Sequence, residues 1–319
     1  MKHFLRHHVQ RKRIGFFSVA CKIFYGLAFI LLIPVVFTFL IQGGGKNAKG
    51  NIEFLNTTEI ETGELDESIL PGILANQISM DTETEAMKAQ AVIVRTNCLR
   101  ALERGEEMPE GLTKGEMLRI WGQDSFSEYY SQLESCVEAT KGVAMMQDGT
   151  YIQADFHKVS AGYTRNAAEV YGNTDYPYLK SADSRMDIPA PDFLKVIFYT
   201  PEEFVQKGNT YFSAETAQKS AADILAGIEI TKRDKAGYVL EVSIDGKQYS
   251  GEELRLAYDW NSAAFSIKEV DGQIRVVTKG FGHGLGLSLY GAEALAKEGY
   301  TYKEILEYFY HEIAFITIE

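Results

Sequence analysis

Histidine and cysteine are scarce in this 319-residue chain, which has six His and three Cys. Past residue 50 only His157, His283, His311, Cys98 and Cys136 remain, and none falls in the spacing of a metal-ligand set. No metal or cofactor is expected. Basic charge is thin over the same stretch. Residues 1–50 hold eight Lys/Arg and no Asp or Glu, which leaves 24 basic against 44 acidic residues in 51–319. A segment that acidic repels polyanions and excludes nucleic acid as a partner. A Gly-x-Ser-x-Gly elbow and the P-loop and dinucleotide fingerprints are absent, which argues against a serine hydrolase and a nucleotide site. No internal repeat is apparent. With 45% hydrophobic residues the chain can bury a normal core without disulfide or metal staples. Cys98 and Cys136 lie in stretches of helical periodicity and read as small buried thiols, although an oxidising exterior would permit them to pair.

One long apolar run is present. Ile23 to Ile41 contains no charge and is long enough to cross the hydrocarbon core as a helix. The basic cluster precedes it, so the positive-inside rule sets a cytoplasmic tail at 1–22 and everything after the span outside. A cleaved signal peptide fits less well, because the run is too long and no Ala-x-Ala-like site follows. Gly43-Gly44-Gly45 and the polar residues after it read as a flexible stalk over 42–68. The expectation is a single-pass protein of the cell membrane with an extracytoplasmic domain at 69–319.

Within that domain, Thr82 and Glu85 have capping-box spacing. Met87, Ala91, Val94, Cys98 and Leu102 then recur on one helical face, and Gly105 ends it. A second helix is expected over about Glu128–Thr140, then short strands near 143–146 and 151–157. Residues 158–173 read as an ordered polar loop. About 187–279 reads as an inserted strand-rich lobe, interrupted by a helix near Ala214–Leu225. Helices return at Ser288–Lys297 and, behind a Thr301/Glu304 capping box, up to Tyr310. The class is α+β: a mixed, antiparallel-rich core with helices, plus one N-terminal transmembrane helix.

Two runs could carry chemistry. Gly280-Phe281-Gly282-His283-Gly284-Leu285-Gly286 alternates glycine with other residues, which lets backbone approach a ligand closely. His283 there could bind a sugar hydroxyl or be satisfied structurally in a tight turn. His157 followed by Ser160-Ala161-Gly162-Tyr163-Thr164 offers hydroxyls and an imidazole suited to carbohydrate, or simply a packed loop.

Taken with the helix Glu85-Ala86-Met87-Lys88-Ala89-Gln90-Ala91-Val92, with Glu169-Val170-Tyr171-Gly172 and with Ser288-Leu289-Tyr290-Gly291-Ala292, these runs resemble the stage II sporulation protein D and amidase-enhancer (LytB) family. The resemblance spans about residues 69–312, with the motifs in order. It implies peptidoglycan as the substrate class. It also implies a lytic transglycosylase chemistry in which one glutamate protonates the glycosidic oxygen and then helps the C6 hydroxyl close an anhydro ring. That glutamate lies eight residues before the Glu of the helix motif. Here the position is Gln77, which has no proton to give. The family's Cys/His metal site would fall between the helix and the His157 strand, where Trp121–Leu133 offers no ligand. The expected role is therefore glycan-strand binding in sporulation, with Gln77 at the centre of a groove lined by His157, Ser160, Thr164, His283 and Ser288. Active transglycosylase chemistry through another carboxylate (Asp81, Glu83 or Glu85) is the alternative. A scaffold or enhancer role is the third reading. The implied partners are glycan strands, a cell-wall amidase and a membrane scaffold protein.

Overall fold

A computed structural model describes residues 65–318. The expected tail, the span Ile23–Ile41 and nearly all of the stalk lie outside the described residues. Among the described residues no helix is long and apolar enough to cross a membrane.

Asp66 caps a single 3-10 turn, and Pro71 in the first turn starts α1 (Leu70–Gln77) with the φ a helix needs. α2 (Thr84–Arg104) stops at Gly105, whose left-handed backbone ends the helix as expected. α3 (Lys114–Ala139) begins earlier than its apolar periodicity suggests. A Thr113/Glu116 capping box starts it, and Gly122, at φ 77, breaks its helical backbone. The three helices bury Leu70, Leu74, Val94, Cys98, Met117 and Leu133 between them. Cys98 and Cys136 are free and buried.

The other side of α2 faces a second core. β1 (Val143–Gln147) turns through Asp148 and Gly149, both at positive φ, into β2 (Thr150–Tyr151). β3 (Phe156–His157) and the short α4 (Ala167–Tyr171) follow. The lobe then departs. Its first sheet has order β4–β9–β8, formed by β4 (Leu194–Tyr199), β8 (Phe265–Val270) and β9 (Gln273–Lys279). Its second sheet joins β5 (Ile228–Arg233), β6 (Val239–Ile244) and β7 (Lys247–Ser250). Both sheets are antiparallel. They share a core with α5 (Pro201–Lys207), α6 (Ala221–Ala226) and α7 (Gly251–Tyr258), built around Phe204, Tyr258, Trp260 and Phe265. The chain returns through β10 (Leu287–Ser288), which pairs in parallel with β3. α8 (Leu289–Lys297) and α9 (Tyr302–Phe309) then pack Leu295, Ile305, Leu306 and Phe309 against Ala89, Val92 and Ile93 of α2. β11 (Ala314–Thr317) closes the fold antiparallel to β1. The mixed α+β class with antiparallel sheets is what these elements form.

One local expectation is corrected. The Thr82/Glu85 capping box does not form, because the N-cap of α2 is Glu83 and no side chain of its own turn caps it. Glu293 of α8 accepts the Glu83 N–H at 2.6 Å, while Glu85 accepts the Tyr302 N–H at the start of α9 at 2.8 Å. Glu293 and Glu85 thus each supply a carboxylate to the positive end of a neighbouring helix, satisfying an N–H that has no partner within its own helix. The Thr301/Glu304 box forms as expected.

Candidate functional site

α1 ends at Gln77, and the turn that follows overhangs a cavity of about 700 Å³. Ile78, Ser79, Asp81 and Thr82 form one wall. Phe156, Lys158 and Val159 form another, with Ala190, Pro191 and Asp192 beside them. α8 supplies the third with Leu289, Tyr290, Glu293 and Lys297.

Gln77 is held from behind. Gln90, fully buried on α2, donates Nε2–H to Gln77 Oε1 at 2.7 Å. Gln77 lines the cavity with an amide, a group that can form hydrogen bonds but has no proton to release. Gln90 Oε1 is buried with no partner among the described residues.

The carboxylates that line the cavity, Asp81, Asp192 and Glu293, are engaged by donors, as is Glu85 beside it, whereas Glu83 is exposed and does not line the cavity. Asp192 pairs with Lys158 at 2.5 Å, and Glu293 with Lys297 at 2.7 Å. The Ser79 hydroxyl and its own N–H hold the Asp81 carboxyl below the ordinary range. Burial pushes Glu85 upward, but the Lys88 ammonium and the Tyr302 N–H outweigh it and hold the carboxyl down. A general acid needs the opposite surroundings, burial without a cation.

A carboxyl that burial does raise is Asp187, which has no exposed surface. Its Oδ2 accepts from the Ser160 N–H at 2.6 Å, the Ser288 hydroxyl at 2.8 Å and the Ser184 hydroxyl at 3.0 Å. It ties the 160 loop to the start of α8 from inside. Nothing local in the sequence marks it, since it stands at the edge of the expected lobe.

The expected groove residues therefore separate. Gln77 lines the cavity. Ser160 and Ser288 are fully buried and converge on Asp187 instead. Thr164 is buried too, accepting the Ala182 N–H at 2.8 Å. His157 and His283 lie side by side, ring centroids 5.9 Å apart, with His157 Nδ1 on the Leu285 carbonyl at 3.0 Å. Burial, reinforced by His283, pushes His157 down to about 3, so the ring is neutral. His283 accepts the Leu285 N–H on Nδ1 at 3.1 Å. The correction follows from strand alternation: with His157 turned inward, its neighbours Phe156 and Lys158 take the wall. Val159, Leu289 and Tyr290 likewise stand where Ser160 and Ser288 were expected.

The glycine run packs against the chain itself. Gly280, Gly282, Gly284 and Gly286 all have positive φ, between 68° and 111°. A Cβ on Gly282 would lie 2.8 Å from His157 Cβ, and one on Gly286 would overlap the Asp155 carbonyl. The N–H groups of Phe281, Gly282 and Leu287 go to Val159, Asn261 and Asp155 carbonyls. Arg165 locks the run to the lobe. Its guanidinium pairs with Asp234 at 2.6 Å and Glu252 at 3.0 Å, donates to the His283 carbonyl at 3.1 Å, and lies over the Tyr238 ring.

The segment where the resemblance implies a metal does not fit one. Trp121, Phe126, Tyr129 and Tyr130 pack on one another there. Among the described residues no cluster of three or more His, Cys, Asp or Glu could hold a metal ion.

Comparison with known proteins bears on this geometry. The family described as "Stage II sporulation protein" matches residues 55–147, which hold α1, the Gln77 turn, α2 and α3. Stage II sporulation protein D of Bacillus subtilis is 32% identical over 265 residues, covering 79% of this chain and 74% of that protein. The protein of the same name from Bacillus amyloliquefaciens is 30% identical over 268 residues, covering 80% and 74%. An amidase enhancer of Bacillus subtilis is 25% identical over 291 residues, which is 76% of this chain but 39% of that relative. Identity of 30% or more to the two sporulation proteins, over about three quarters of each chain, leaves one conclusion: this chain belongs to the stage II sporulation protein D and amidase-enhancer family.

Proposed function

We propose that the chain holds peptidoglycan glycan strands without cutting them, anchored in the cell membrane by one N-terminal helix with its folded domain facing the wall. The observation that carries this reading is the place of Gln77, fastened to the buried Gln90 and lining the cavity, which puts an amide where the resemblance implies a proton-donating glutamate. An amide N–H can bond a glycosidic oxygen or an N-acetyl carbonyl but cannot release a proton to it. Losing general acid–base catalysis removes about 10²–10⁴-fold of rate. The remaining wall suits a sugar. Phe156, Leu289 and Tyr290 offer apolar surface, and a cavity of about 700 Å³ matches a small saccharide. Membrane attachment and orientation rest on the apolar run Ile23–Ile41 and the basic residues before it.

The test uses the full chain in mild detergent with denuded glycan strands prepared by amidase digestion. Binding is expected, and Gln77→Met is expected to weaken it about tenfold, the worth of one hydrogen bond in a desolvated site. Absence of binding would overturn the reading. The similarity to a protein named amidase enhancer favours a second reading, in which the chain raises the activity of a wall amidase. Stimulation of an amidase by a chain that binds no glycan would select it.

A further inference from the structure

The outer face of the β4–β9–β8 sheet is uncovered by anything among the described residues. β4 is an edge strand, and from it Leu194, Val196 and Phe198 project at 54%, 48% and 50% exposure. The register sets Lys279, Val277 and Arg275 of β9 directly beside them, and Lys268 of β8 beside Arg275. No Asp or Glu projects from this face, although acidic residues outnumber basic ones 44 to 32 in the chain. Arg275 is half-buried, and its Nε is buried without a partner among the described residues. Stable proteins blunt edge strands and avoid contiguous apolar surface unless it is used.

The stripe begins at the cavity. Asp192 lines that cavity, and β4 starts two residues later. Lys158, also on the cavity wall, pairs with Asp192 and stands over the exposed Phe281 ring, 5.0 Å from its centroid. Gly280 donates its N–H to the Phe193 carbonyl, so the end of β9 is fastened at the same rim. A linear ligand leaving the cavity past Phe281 therefore meets Leu194, Val196 and Phe198 in line. At about 3.3 Å per residue those three span roughly 13 Å.

We propose that this face is an extension of the glycan site: a track for the part of a denuded strand that runs out of the cavity. This rests on the groove reading above. The apolar faces of the sugar rings would lie on Leu194, Val196, Phe198 and Phe281. Once its stem peptide is removed, each N-acetylmuramic acid carries a free lactyl carboxylate, which Lys279, Arg275 and Lys268 would pair. A neutral oligosaccharide of N-acetylglucosamine has no such carboxylate. The track thus selects long, carboxylate-bearing strands over short or neutral ones, and weakens with salt.

The experiment measures affinity of the full chain in detergent for three probes: long denuded strands, a denuded tetrasaccharide, and a long N-acetylglucosamine oligomer. Long denuded strands are expected to bind most tightly. Arg275→Gln/Lys279→Gln should cost them about tenfold and abolish their advantage over the neutral oligomer. Val196→Ser/Phe198→Ser should cost both long probes a similar factor. Both double variants should bind the tetrasaccharide as the unmodified chain does. Four results would overturn the track. They are equal affinity for long and short denuded probes, unchanged strand binding in both variants, a dimer that the variants dissolve, or binding to anionic vesicles that they abolish. If the unmodified chain binds none of the three probes, the groove reading has failed and the track goes with it. Tetrasaccharide binding without a length advantage removes the track alone.

Discussion

Replacing Arg165 by Met should unfasten the lobe from the glycine run, and the structure sets the size of the loss. Arg165 and Asp234 are both about 1% exposed in their side chains, so neither can recover water as a substitute partner. Glu252, the second carboxylate, is 29% exposed and keeps Arg255 at 2.5 Å. Asp234 keeps the Tyr238 N–H at 2.8 Å but loses the guanidinium that faces it. Removing one member of a buried pair costs about 3–5 kcal/mol, because the other charge stays buried without compensation. That is a large fraction of the roughly 5–15 kcal/mol that holds a domain together. In a domain of this size it corresponds to a fall in Tm of roughly 10 °C. The assay is thermal and urea unfolding of the full chain in detergent, followed by near-ultraviolet circular dichroism. Arg165→Met/Asp234→Asn should recover part of the loss, since the orphaned charge is then gone. A single variant that loses under about 1 kcal/mol would refute the clamp, as would a double variant no better than the single.

Further predictions concern the same neighbourhood. Gly286→Ala should prevent accumulation of folded protein, because its Cβ would overlap the Asp155 carbonyl at positive φ. Gly299→Ala, with open space around it, should cost only about 1–2 kcal/mol of backbone strain; similar effects of the two would contradict the close packing. His157, pushed down to about 3 by burial against an ordinary value of 6.5, gives a pH dependence of stability. Between those values the unfolded chain takes up the proton that the folded one refuses. Its contribution is therefore complete above pH 6.5 and lost as pH falls toward 3, by at most about 1.4 kcal/mol per pH unit. Urea midpoints at pH 7 and pH 5 should differ less in His157→Gln than in the unmodified chain, and an unchanged difference would refute the assignment.

Much of the fold was legible where its cause is local. The Thr301/Glu304 box, the Gly105 stop and the alternation over 239–244 and 274–277 rest on near neighbours, and each element appears where it was expected. Where the cause is distant, legibility failed. Glu85 was misread because its real partner, the Tyr302 N–H, lies 217 residues away. β11 is only Ala314–Thr317, too short to declare itself until β1 pairs with it. In the site, composition marked the right segments but not the direction of their side chains. His157, Ser160 and Ser288 lie in segments that border the cavity, yet their side chains are buried and the lining falls to Phe156, Lys158, Val159, Leu289 and Tyr290. The glycine run was expected either to let backbone approach a ligand or to form a tight structural turn, and its geometry is that of the turn. What approaches it is the protein's own backbone and the Arg165 clamp.

Gln77 carries the central claim, and one substitution addresses it. Gln77→Glu keeps the shape and the Gln90 hydrogen bond while restoring a group that can hold a proton. The full chain and this variant are each incubated with denuded glycan strands, and the products are read by mass spectrometry for anhydro ends. The account predicts that the unmodified chain binds strands and releases no such products, whereas the variant does, with a gain of about 10²–10⁴-fold. Anhydro-ended products from the unmodified chain would contradict it.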